Sequence, residues 1–74
     1  MNQNIDVGNK VVDFFEEKKK GTVDEILEYV KLNNENFPMF NNDMIDAYAL
    51  KAIELLSAGM LISKNKENEY ERIF

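Results

Sequence analysis

Two kinds of residue in this chain have types and spacings suited to chemistry: paired carboxylates and short runs of cations. Asp43 and Asp46 stand three apart, a spacing that puts both on one face of a helix. Such a pair can divide general acid and base work when burial drives the two pKa values apart. Nothing else in the sequence completes a site of that kind. There is no His and no Cys, which removes the usual proton shuttle, imidazole-activated nucleophiles, disulfides and the common zinc ligand sets. The acidic pair then reads as a solvated helix face, and the sequence predicts no enzyme, no cofactor and no metal.

The cations form two groups. Lys18, Lys19 and Lys20 are consecutive, and Lys64, Lys66 and Arg72 lie near the end of the chain. Phosphate binding is the chemistry they offer. The balance of the whole opposes it, since fourteen Asp and Glu against nine Lys and Arg give a net charge of −5. Nucleic acid therefore remains a possible partner only through a local patch, diluted by Glu67, Glu69 and Glu71.

These residues must be positioned by a small scaffold. Seventy-four residues make one domain, which buries about 60% of its unfolded surface; its stability should be roughly 3–5 kcal/mol. With 45% apolar residues, including five Phe and three Tyr, a packed core is expected. No apolar run approaches the ~20 residues that span a bilayer, and the polar first ten residues resemble no secretory signal. With no Cys, an intracellular setting, cytoplasmic or nuclear, is expected, and no membrane partner.

Residues 1–5 read as a flexible polar lead-in and 6–74 as the domain. Asp6 is placed to cap a first helix with Val7, Val11 and Phe15 (beside Phe14) as its apolar stripe, stopped by the lysine run and Gly21. Thr22 and Glu25 form a capping box for a second helix, with Val23, Ile26, Leu27 and Val30 inward. An Asn-rich loop around Pro38 follows; Phe37, Met39 and Phe40 in it either plug the core edge or anchor a partner. The third helix has Asn42 or Asp43 as cap and Gly59 as stop. Ile45, Ala49, Ala52, Ile53 and Leu56 form its buried stripe, widened by Tyr48 and Leu55 and continued by Met60. Two strands around a loop at 65–68 close the chain; without Gly that loop should exceed two residues.

Three helices followed by a C-terminal β-hairpin, in an α+β domain of this size, resembles a small winged-helix domain. The likeness rests on Ile53, Leu56, Gly59, Leu61 and Ile62, then Tyr70 and Ile73. The same phrase is similar to the C-terminal winged helix of cullins and of the anaphase-promoting-complex scaffold subunit. That resemblance implies a module docking protein partners in a scaffold, although no helix-three residue, Lys51 included, matches the modifier-accepting lysine of those domains. The fold implies that helix three faces DNA or a partner. Steps of 100° place Asp43, Asp46, Ala47, Leu50, Lys51, Glu54 and Ser57 on its outward arc. The arc lacks Arg, Asn and Gln for base contacts, and its acids repel phosphate. An apolar spot, Ala47 and Leu50, inside acidic residues instead suits a protein partner with a basic surface. The expected function is protein–protein interaction through that face and the loop residues Phe37 and Phe40. The alternative is a small DNA-binding regulator using the wing and Lys18, Lys19 and Lys20. The oligomeric state is not legible.

Overall fold

The computed structural model describes the backbone over 3–32 and 39–74 and side chains over 7–32 and 39–74. Helix α1 spans Gln3–Lys18. It begins before Asp6, so the helix already includes residues 3–5 of the expected lead-in and Asp6 is not its cap; no Gly or Pro there interrupts it. Val7, Val11, Phe14 and Phe15 are buried, as their spacing requires. Phe14 meets Phe15 and Tyr29 edge-on, at centroid distances of 5.3 and 5.5 Å, a geometry that adds about 0.5–1.5 kcal/mol per pair to area burial.

The helix stops at Lys19, not at Gly21. Lys19 adopts φ 73°, and its N–H donates to the Phe15 carbonyl at 3.1 Å, the left-handed C-terminal motif. Gly21 serves another purpose. It lies in strand β1, Lys20–Thr22, with negative φ, and a Cβ there would collide with the Phe14 ring, whose Cε1 would be 2.9 Å away. The missing side chain lets β1 lie directly on α1.

Helix α2, Val23–Leu32, starts with the expected capping box: Thr22 N–H to Glu25 Oε1 at 2.9 Å, and Glu25 N–H to Thr22 Oγ1 at 3.2 Å. Residues 33–41 separate it from α3, Asn42–Ala58. The cap of α3 is Asn41, one residue before Asn42 and two before Asp43, the expected candidates; its side-chain oxygen accepts from the Met44 N–H at 2.8 Å. Ile45, Ala49 and Ile53 are buried, with Ala52 and Leu56 packed against them. Leu55 and Met60 depart from expectation, being 60% and 76% exposed. Leu55 lies toward the flank of the helix facing α1, and Met60 comes after the helix has ended.

That ending also differs in detail. Gly59 has an ordinary φ of −80°, and the left-handed residue is Met60, φ 62°. Bonds from Met60 N–H to Ser57 O (3.0 Å) and Leu61 N–H to Leu56 O (2.9 Å) make a Schellman motif with Met60 at the position usually held by glycine.

Strands β2, Ile62–Lys64, and β3, Glu69–Arg72, complete a three-stranded antiparallel sheet in the order β1-β3-β2. Lys20, Gly21 and Thr22 face Glu71, Tyr70 and Glu69; Ile62, Ser63 and Lys64 face Arg72, Glu71 and Tyr70. Asn68, φ 61°, follows a turn closed by its N–H on the Asn65 carbonyl at 3.3 Å, the common three-residue hairpin. The Asn65 side chain holds this loop. Its oxygen accepts from the Glu67 and Glu69 N–H groups, both at 2.9 Å, and its amide donates to Glu69 and Glu71 carboxylates at 3.3 and 2.8 Å. The protein is thus a small α+β domain of three helices and a three-stranded sheet, a layout compatible with a winged helix.

Candidate functional site

Helix α3 presents the residues singled out from sequence. Asp43, Ala47, Leu50, Lys51 and Glu54 are all exposed, Leu50 at 46%. They share the side opposite Ile45, Ala49 and Ile53, because 3.6 residues per turn separates the two stripes. Lys51 is engaged by Glu54 at 3.9 Å, so the one cation on this face already has a carboxylate beside it. Two members of the predicted arc are less available. Asp46 is half-buried, with Oδ1 3.1 Å from the Lys31 ammonium, and ties α3 to α2. Ser57 is also half-buried.

The adjoining loop divides. Phe40 is half-buried, packed on the core and stacked on Tyr48 at 5.0 Å with 22° between the rings; it plugs the core edge. Met39 is 77% exposed. Phe37 lies outside the described residues.

Of the cations of the nucleic-acid alternative, Lys20, Lys64 and Arg72 lie in one sheet, but not all on one face of it. Strand β1 pairs with β3, which sets Lys20 beside the wing. Lys20 opposes Glu71 while Lys64 opposes Tyr70, its Nζ 6.0 Å from that ring. Neighbouring strand positions point to opposite faces, so Lys20 and Lys64 lie on different sides of the sheet. Lys20 is moreover 3.8 Å from Glu69. Lys18, Lys19 and Lys66 are exposed and Arg72 is half-buried, its guanidinium 5.6 Å from the Phe74 ring and bonded to the Glu16 carbonyl at 3.5 Å.

An open groove of about 390 Å³ runs between α1 and α3, lined by Gly8, Val12, Tyr48, Ala52, Leu55 and Leu56 with Asn9 and Lys51 at its rim. Its walls carry no titratable group suited to acid–base work beyond the Tyr48 phenol and the Lys51 amine. Two groups elsewhere are perturbed. Glu25 is held below the usual carboxylate value, chiefly by the Thr22 N–H, then by the Thr22 hydroxyl and the field of Lys18. Tyr29 is raised, first by partial burial, then by its bond to Glu17 and the nearby Glu17 and Asp13 charges. Both are structural: one closes a capping box, the other bridges α2 to α1 at 3.1 Å. Among the described residues no cluster of three or more Asp or Glu is arranged to hold a metal ion, and no helix is long and apolar enough to cross a membrane.

Sequence reasoning missed a set of exposed apolar residues at the end of the sheet. Met60, Leu61, Ile73 and Phe74 are 76%, 44%, 58% and 49% exposed, and the Ile73 N–H donates to the Leu61 carbonyl at 2.8 Å. Leu61 and Ile73 were expected as sheet residues and Met60 as core. The signal in the sequence was Met60 after Gly59, an apolar residue just past a helix end. No protein-family model, no curated protein and no solved structure matches this chain.

Proposed function

We propose that this chain is a winged-helix-type interaction module whose α3 face docks a protein partner with a basic surface. The element order, with one strand between the first two helices and a hairpin after the third, supports the fold part of this reading. The observation that carries the functional part is the exposed side of α3: an apolar centre of Ala47 and Leu50, with Asp43 and Glu54 beside it and its one lysine engaged by Glu54. A helix that enters a DNA groove needs cations and bidentate donors there. This one offers carboxylates, which repel phosphate and attract a basic protein surface. Use in a scaffold or regulatory assembly, as the cullin-like phrase implies, belongs to the same proposal, as does the absence of catalysis.

The test is fluorescence anisotropy at low salt with two labelled probes, a random-sequence DNA duplex and a basic amphipathic peptide built from Lys and Leu. The reading expects peptide binding that Leu50→Asp or Glu54→Lys abolishes, and no duplex binding. Duplex binding that is lost with Lys64→Glu and Lys66→Glu overturns it in favour of a nucleic-acid regulator.

A further inference from the structure

The groove between α1 and α3 shares only Lys51 with the exposed α3 face. Its volume, about 390 Å³, lies within the range of small-molecule sites, about 300–1,000 Å³. Val12, Ala52, Leu55 and Leu56 make its walls aliphatic, and Leu55 in that wall remains 60% exposed. On α3 the lining runs from Tyr48 to Leu56, about 12 Å at 1.5 Å per residue, which is long enough for an extended alkyl chain.

The groove also contains a glycine that the packing does not demand. Gly8 lies inside α1 without a positive φ, where glycine is less favourable than alanine. A Cβ there would stand 3.9 Å from the Ala52 Cβ, an ordinary contact. Gly21 is the opposite case, since its Cβ would strike Phe14. Alanine would therefore fit at position 8 and hold the helix better. What the glycine provides is room, and backbone that a ligand can approach closely.

The charge of the lining selects the ligand. Lys51 is the one charged residue that lines the groove, and Asn9 and Tyr48 are the other polar ones. Carboxylates stand near but outside the lining: Glu54, 3.9 Å from the Lys51 ammonium, Asp13, 3.7 Å from Lys10, and exposed Glu16. The side chains of Lys51 and Glu54 are 62% and 73% exposed. Such pairs hold their members weakly, so the ammonium can serve a second anion. We propose that the groove binds a small aliphatic carboxylate, with its alkyl chain along Val12, Ala52 and Leu55 and its carboxylate on Lys51. A basic peptide would meet Lys51 with like charge. Nucleic acid would find Tyr48 as its stacking platform, and that ring is already stacked on Phe40. This site is separate from protein docking by α3 and does not depend on it.

The experiment is calorimetric titration of the whole chain with octanoate below its micelle-forming concentration. Octanol is the uncharged analogue, and backbone NMR shifts locate the ligand. The expected result is saturable octanoate binding, with shifts gathered at Gly8, Val12, Lys51 and Leu55. Octanol should bind about tenfold more weakly, for want of one charge-assisted contact. Lys51→Met should bring octanoate down to the level of octanol and leave octanol unchanged. Leu55→Gln should weaken both ligands. Gly8→Ala should weaken both while raising the melting temperature, which separates loss of the groove from loss of the fold. No saturable binding, equal affinity for octanol, shifts elsewhere, or indifference to Gly8→Ala or Leu55→Gln overturns the proposal. So does any result that gives the groove to another occupant. Those results are preference for phosphatidylglycerol vesicles over monomeric octanoate, shifts in the groove from the Lys/Leu peptide, and self-association in sedimentation velocity that Leu55→Gln abolishes.

Discussion

Gly21 is the position where one added methyl group has the clearest consequence. Its φ is not positive, so alanine fits the backbone, and the loss of unfolded-state freedom alone would stabilise the protein by about 0.4–1 kcal/mol. The surroundings reverse that sign. The new Cβ would sit 2.9 Å from Phe14 Cε1 and closer still to Cζ, whereas carbon atoms prefer about 3.5–4.0 Å. Phe14 is only 2% exposed and is held edge-on between Phe15 and Tyr29, so the ring cannot swing to solvent. Overpacking of this kind costs about 1–3 kcal/mol, and a domain of this size has roughly 3–5 kcal/mol in total. Gly21→Ala should therefore lower the urea midpoint sharply, followed by far-UV circular dichroism. The double variant Gly21→Ala/Phe14→Leu should be more stable than the sum of its single changes by about 1 kcal/mol or more, since the smaller side chain clears the methyl. A Gly21→Ala protein as stable as the parent, or an additive double variant, would refute the reasoning.

Asn65→Ala removes two acceptor and two donor contacts from the wing loop and should cost about 1–2 kcal/mol by urea unfolding; Asn65→Asp should do no better, because it sets a third carboxylate against Glu69 and Glu71. Met60→Gly should stabilise by about 0.5–1 kcal/mol, the left-handed cost less the added freedom of the unfolded glycine, read as a higher melting temperature. The lowered pKa of Glu25 gives stability that is complete above its ordinary value of 4.5 and is lost as pH falls through the lower folded value. Glu25→Gln should accordingly flatten the acid limb of melting temperature against pH while leaving the neutral-to-alkaline limb in place.

Much of the fold was legible because local rules and tertiary packing agree. The stripe Val7, Val11, Phe14 and Phe15 and the box of Thr22 with Glu25 are fixed by periodicity and by capping chemistry, which act within a few residues. Helix ends were misjudged where both glycines seemed to supply the stop. Gly21 is needed for its lack of volume against Phe14, and Gly59 is simply the last turn; the left-handed positions fall to Lys19 and Met60. A close approach between α1 and β1 is a tertiary fact, absent from the local pattern. The α3 face was readable from 100° steps, except that Asp46 is drawn to Lys31 on α2. The meeting of residues 19, 61 and 72–73 at the sheet end was not readable, because only the register of β3 with its neighbours and the bonds beyond it bring them together.

The central claim is that α3 docks protein and not DNA. The most direct measurement is the low-salt titration of the parent protein and Leu50→Asp against the labelled Lys/Leu peptide and the labelled duplex. The account predicts peptide binding by the parent, its loss in Leu50→Asp, and no change in duplex anisotropy for either. Duplex binding that survives Leu50→Asp and disappears in Lys64→Glu/Lys66→Glu, or a parent that binds neither probe, would contradict it.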